Sequence, residues 1–251
     1  MHILLTNDDG IGAPGLLALK QARQPLGKIT VVAPSRNYSA AGHRKTMHKP
    51  LRIDETLLSD DSPAWVCSGA PSDCVALALL GFVKEKVDLV VCGINPHHNL
   101  GQDVTYSGTV TAAIEAVIAG IAGMAVSTEA QSPADFETTA RAAARLVEAL
   151  VRHGAPANTL LNVNVPPAPI KGLRITRQGL RVYRDELVER RDPRGRPYYW
   201  IGGERPTGVM EEGTDFWAVE HGYLSITPLQ LDLTAYQAIP ALEQWQIELP
   251  G

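Results

Sequence analysis

From Met1 to about Val165 the chain alternates short β-branched or aliphatic runs with longer segments whose apolar residues recur at helical spacing. That alternation reads as successive βαβ units. Each crossover helix returns the chain to start another strand in the same direction, so the units predict a mostly parallel, doubly wound α/β sheet of Rossmann-like type. Residues 3–6, 29–33, 87–93, 124–127 and 160–165 are the candidate strands, and several are apolar enough to be covered on both faces. Pro14, Pro71 and Pro133 stand where a first helical turn would begin, a place proline tolerates. Ser132 with Asp135 has the spacing of a capping box.

After Pro166 the regularity ends at Pro166, Pro167 and Pro169, and a mixed-charge segment runs from Arg181 to Arg205. The expectation is one α/β domain over residues 1–251, with a core of about 1–165 and a C-terminal hairpin and oligomerisation region of about 166–251. Tyr198, Tyr199, Trp200 and Ile201 run into Gly202 and Gly203, as a strand entering a turn would, and suggest a protruding hairpin. Seven arginines in this segment resemble a nucleic-acid arm. Asp185, Glu186, Glu189, Asp192 and Glu204 interleave with them and cancel most of the field, so a solvated or subunit-contacting surface is expected.

The composition excludes several classes. A hydrophobic share of 45% with 20% charged residues is that of an ordinary globular chain. A formal net charge of -4 gives no general attraction to polyanions, so a phosphate-bearing ligand must be held by local donors or a metal. No nucleic-acid polymer is expected as a partner. No basic segment followed by a long apolar stretch opens the chain, and the weakly polar residues 116–128 are too few to span a bilayer. A cytoplasmic location without membrane attachment is expected. Cys67, Cys74 and Cys92 lack metal or redox spacing and read as reduced core residues.

Chemistry enters where the first strand ends, at Asn7-Asp8-Asp9-Gly10. In open α/β sheets ligands bind beyond the carboxyl ends of strands. A polar turn is the plain alternative, since Asn, Asp and Gly all favour turns. Adjacent carboxylates repel, however, and a cation relieves that; hard oxygen donors suit magnesium or manganese. Gly10, Gly12 and Gly15 also match the Gly-x-Gly-x-x-Gly dinucleotide fingerprint, with Arg36 as a candidate for a 2′-phosphate. This supports an alternative, an NADP-dependent oxidoreductase. Against it, Asp8 and Asp9 would repel a pyrophosphate, and no acidic residue closes the second strand to meet a ribose.

Three more segments point to the same edge. Residues 33–45 form a long small-and-polar loop of the kind that closes over ligands, and Arg44 and Lys45 are candidates for phosphate contact. The strand at residues 87–93 delivers Asn95 and Asn99; Asn95 offers a metal a neutral oxygen, and Asn99 is grouped with the phosphate residues. His97 and His98 lack a third zinc ligand and are expected to be non-ligands. Ser107, Gly108 and Thr109 precede a helical run at residues 110–119, where free N–H groups and hydroxyls attract anions. A plain N-cap by Ser107 or Thr109 is the alternative there. No P-loop or nucleophile-elbow motif occurs.

With these residues on the page, the chain resembles the SurE family of stationary-phase survival phosphatases. The resemblance runs from residues 3–10 through 69–75, 103–110 and 162–166 to Glu212-Gly213-Thr214-Asp215 and Thr227-Pro228-Leu229. It implies a divalent cation (magnesium or manganese) on Asp8, Asp9, Ser39 and Asn95, with phosphate on Ser107, Gly108 and Thr109. It further implies hydrolysis of nucleoside 5′- and 3′-monophosphates, some action on short polyphosphate, and homodimers or homotetramers built by C-terminal exchange. Asp8 and Asp9 are then the catalytic pair: Asp9 orients the attacking water, or in a variant Asp8 itself attacks phosphorus. A nonenzymatic nucleotide-binding regulator using the same pocket is a further alternative. The family's usual glycines are replaced here by Ala40, after the loop serine, and by His97, two residues after Asn95.

Overall fold

The computed structural model describes residues 1–23, 27–204, 207–245 and 247. The first half alternates β1 (His2–Thr6), α1 (Pro14–Arg23), β2 (Lys28–Pro34), β3 (Ile53–Leu57), β4 (Pro63–Cys67), α2 (Pro71–Leu77) and β5 (Leu89–Asn95). There follow α3 (Gly108–Ile118), β6 (Ala122–Thr128), α4 (Pro133–His153) and β7 (Thr159–Val165). The C-terminal part holds β8 (Gly172–Ile175), β9 (Arg181–Val182), β10 (Asp185–Arg191), β11 (Pro197–Gly203), β12 (Thr207–Gly208), α5 (Asp215–Glu220), β13 (Tyr223–Gln230) and the short α6 (Ile239–Glu243). The three prolines read as helix starts open α1, α2 and α4. The Asp135 carboxylate accepts hydrogen bonds from the Ser132 N–H at 2.8 Å and from its hydroxyl at 2.9 Å, closing the start of α4.

Among the described residues nine strands form one sheet in the order β3-β4-β2-β1-β5-β6-β7-β13-β8. The run from β4 to β7 is parallel, while β3 pairs antiparallel with β4 and β13 pairs antiparallel with β7 and parallel with β8. Consecutive residues of β1 bury on opposite faces: Ile3 and Leu5 pack with Leu16, Leu19, Ala140, Ala143 and Val147 of α1 and α4. Leu4 packs with Val75 of α2, Ala112 and Ala116 of α3, and all three cysteines, which are free and buried. Each Ile or Leu so buried contributes roughly 1.5–3 kcal/mol. Both faces are therefore covered, which is why the strands read as unbroken apolar runs.

Four sheet strands escape the sequence pattern. β3 and β4 are short, carry Asp54, Glu55 and Pro63, and lie toward one edge, where such residues are tolerated. β13 contains Pro228, yet β8 pairs only with Tyr223–Ile226, so Pro228 lies beyond the stretch that must donate to β8. β10 and β11 form the expected hairpin, which is largely exposed. Its tip is at Asp192 to Arg196, so Gly202 and Gly203 stand at its base rather than in its turn. No helix among the described residues is long and apolar enough to cross a membrane.

The chain turns one way from β1 to β2 and the other way to β5, so the sheet's switch point lies between β1 and β5. Helix α3 lies over this region because Gly123 of β6 lets it approach: a Cβ there would stand 2.4 Å from the Ala113 carbonyl oxygen. Gly123→Ala is expected to cost about 1–3 kcal/mol by overpacking. In a thermal melt that is a fall of roughly 2–4 °C per kcal/mol for a chain of this size. An unchanged melting temperature would contradict the close approach.

Candidate active site at the switch point

Asp8 and Asp9 follow β1 directly, and Asn7 shapes the turn that carries them. Its Nδ2 donates to the Gly10 carbonyl at 2.9 Å, while Oδ1 accepts from the Gly10 N–H at 3.2 Å. Gly10 adopts φ 103°, a region that L side chains avoid. Of the other glycines in the apparent dinucleotide fingerprint, Gly15 has a packing role: a Cβ there would fall 2.2 Å from the Ile94 carbonyl oxygen, so Gly15 brings α1 against the end of β5.

Asp8 is 3% exposed. Its Oδ1 accepts the Thr109 hydroxyl at 2.5 Å. The Thr109 backbone N–H also favours its carboxylate form. A Cβ on Gly108 would lie 2.7 Å from the Asp8 Cβ and 2.8 Å from Oδ2. Gly108 and Thr109, read from the sequence as phosphate contacts, thus both face Asp8. The Thr109 hydroxyl gives its proton to that carboxylate. Ser107 is the N-cap of α3, its Oγ accepting the Val110 N–H at 3.1 Å, which leaves its own O–H to donate.

The remaining candidates meet around one cavity of about 360 Å³, lined by Asp8, Asp9, Ser39, Asn95, Asn99 and Ser107 among others. The Asn95 amide donates to the His97 carbonyl at 2.6 Å, leaving Oδ1 with no donor among the described residues. Asn37 links Ser39 to the carboxylates: its Oδ1 accepts the Ser39 N–H at 2.6 Å and its Nδ2 reaches Asp9 at 3.4 Å. Asn99 fixes the wall. Its amide donates to Ser127 at 2.7 Å, and its carbonyl accepts from Asn162 and Asn164. His98 is a structural histidine, bonded to the Val165 carbonyl at 2.8 Å. His97 sits on the rim 3.3 Å from Glu129.

Two wall residues not singled out from the sequence are Asp103 and Tyr106. Asp103 is held by Arg181 at 2.8 Å and by the Tyr183 hydroxyl, contacts from the C-terminal part that no local pattern announces. Lys45 does not reach this cavity's wall; its Nζ is 2.7 Å from Glu115.

Burial pushes the Asp8 carboxyl up from its ordinary range, against the hydrogen bonds from Thr109. Burial and the charge of Asp8 push Asp9 up to about 6, with His97 partly opposing. Among the described residues no lysine or arginine forms an ion pair with either carboxylate. Two negative groups therefore share a poorly solvated corner with no protein cation, which is the environment a bound cation relieves. Nor is there any cluster of three or more His, Cys, Asp or Glu among the described residues able to hold a metal. The donors here are instead two carboxylates, a hydroxyl and an amide oxygen, a hard set.

The family model for Survival protein SurE matches residues 3–185. The chain belongs to the SurE family. A protein of Chloroflexus aggregans named 5'-nucleotidase SurE is 50% identical, over 99% of this chain and 100% of its own. A 5'-nucleotidase SurE of Herpetosiphon aurantiacus is 52% identical over 93% of this chain and 94% of its own. Among solved structures, the SurE protein from Aquifex aeolicus superposes with a TM-score of 0.83 at 42% identity, covering 97% of this chain and 98% of that one.

Ala40 holds a left-handed backbone of the kind glycine adopts freely, at φ 55°. His97 shows no positive φ. An alanine held at positive φ is strained, so Ala40→Gly is expected to stabilise the protein by about 1 kcal/mol. A rise of roughly 2–4 °C in the melting temperature would show it, and a fall would mean that the loop gains more from alanine's stiffness than it loses to strain.

Proposed function

We propose that the cavity hydrolyses nucleoside monophosphates to nucleoside and phosphate, the chain being a phosphoric monoester hydrolase that depends on a divalent cation, magnesium or manganese. The observation that carries this reading is the pairing of Asp8 and Asp9, both with raised proton affinity and without a protein cation, beside Ser107 at the start of α3. The activity named in the relatives, 5'-nucleotidase, is of the same class. Asp8, Asp9, Ser39 and Asn95 would hold the cation. Once bound, it neutralises charge on the phosphoryl oxygens and lowers the cost of attack by water.

The chain's own groups account for the rest. Thr109 donates to Asp8 Oδ1 and favours its carboxylate form against the effect of burial. Asp9, less buried than Asp8, is placed to accept a proton from the attacking water. The Ser107 hydroxyl and the N-terminal end of α3 favour negative charge at the equatorial oxygens. Asn99 keeps the opposite wall in place through Ser127, Asn162 and Asn164. Attack by Asp8 itself is less favoured, because its Oδ1 is already engaged by Thr109 and its other oxygen is needed for the cation.

The same reading extends to a homo-oligomer. Leu187, Trp200 and Ile201 on the hairpin, and Leu242 and Trp245 near the C-terminus, are exposed apolar side chains of the kind that subunit contacts cover.

Asp8→Asn keeps the shape of the side chain and removes the charge. It is expected to lower kcat by at least about a hundredfold, the scale of losing one preorganised electrostatic contact, while the protein stays folded. Phosphate release from a nucleotide panel, with manganese or magnesium and with EDTA, reads this out. Near-normal, chelator-sensitive turnover in Asp8→Asn would contradict the assignment, and EDTA-insensitive turnover in the unaltered protein would contradict the cation.

A further inference from the structure

The loop that carries Ser39 has no regular secondary structure between β2 and β3, so side-chain and backbone ties must set its shape. Those ties run to Asp8 itself, to Tyr106 just before α3, to α3, which also supports Asp8, and to α2. The Tyr38 N–H donates to the Asp8 carbonyl at 2.7 Å, and the Gly42 N–H to that of Tyr106 at 3.0 Å. Thr111 of α3 donates its hydroxyl to the Gly42 carbonyl at 3.2 Å. Two turns into α3, Glu115 is 5% exposed and takes two partners from the loop, Lys45 Nζ at 2.7 Å and His43 Nε2 at 3.1 Å. Thr46 ends the series, giving its N–H and hydroxyl to Asp73 of α2 at 2.8 and 2.7 Å.

Glu115 is the only one of these partners that binds two loop side chains at once. A carboxylate this deeply buried is costly unless such partners accompany it. Immediately before the pinned stretch, Ala40 holds a positive φ next to Ser39. A strained residue persists only where its surroundings over-determine it: the Ala41 N–H donates to the Tyr38 carbonyl at 3.1 Å, Gly42 is tied to Tyr106 and Thr111, and the Glu115 clamp on His43 and Lys45 extends that constraint on the C-terminal side of Ala40.

We propose that Glu115 is a positioning residue for the cation site, fixing Ser39 through its clamp on His43 and Lys45 without touching cation or substrate. One rigid body, α3, then aligns two segments of the site: Asp8 through Thr109 and the Ser39 loop through Glu115. The inference rests on the cation reading above, and its test separates the two.

The test is calorimetric titration of manganese into metal-free protein, for the unaltered chain, Glu115→Gln and His43→Ala, alongside steady-state kinetics over a range of manganese concentrations. Glu115→Gln is expected to weaken manganese binding about tenfold, the lower end of the effect of removing a supporting partner around a metal site. Its kcat at saturating manganese should be retained, so that added metal rescues the activity. His43→Ala, which removes a partly exposed group and leaves no buried charge bare of both partners, should weaken binding in the same direction by a smaller factor. It decides the matter if Glu115→Gln does not fold. Unchanged affinity with a lowered melting temperature would make Glu115 a structural residue only and overturn the inference. If the unaltered chain binds no manganese, the cation reading itself falls first.

Discussion

Everything at the switch point follows from two carboxylates placed side by side where the first strand runs out of sheet. Asp8 is almost wholly buried and Asp9 half-buried, and their mutual repulsion adds to the desolvation each suffers. A fold keeps such a pair only if something offsets it. Part of the offset is local: the Thr109 hydroxyl and N–H at Asp8, and His97 at Asp9. The rest is repulsion that the proposed cation would relieve, and the uncharged oxygens of Ser39 and Asn95 line the same cavity.

The architecture places these oxygens by simple means. Parallel strands bring the ends of β1, β2 and β5 to one edge, and the reversal of strand order opens a crevice there. Close packing at glycine then sets the walls: Gly15 seats α1 against β5, Gly123 seats α3 against β6, and Gly108 admits Asp8 to the start of α3. Because α3 is reached by both Asp8 and the Ser39 loop, a shift of that helix would move more than one proposed ligand.

The parallel core was legible in the sequence because both its faces are covered, which writes β1, β2, β5, β6 and β7 as apolar runs, and because proline marked three helix starts. Strands β3, β4, β8 and β13 were not legible, being short, charged or proline-bearing strands whose pairing comes from distant segments. At the site, Asp8, Asp9, Ser39 and Asn95 could be named because each lies at or just past the end of a strand or in an evident loop. What Thr109, Lys45 and Glu115 do could not, since a hydroxyl donates equally well to a phosphate or a carboxylate and only tertiary distance decides. Asp103 and its partners Arg181 and Tyr183 are far apart in the chain, so nothing local connects them.

The central claim is that a divalent cation is held by these four side chains. Anomalous scattering from crystals soaked in manganese tests it most directly. The account predicts one strong peak within roughly 2.0–2.3 Å of oxygens from Asp8, Asp9, Ser39 and Asn95, the range hard cations take with oxygen ligands. A peak elsewhere, such as between His97 and Glu129, or none with the cavity open to solvent, would contradict it.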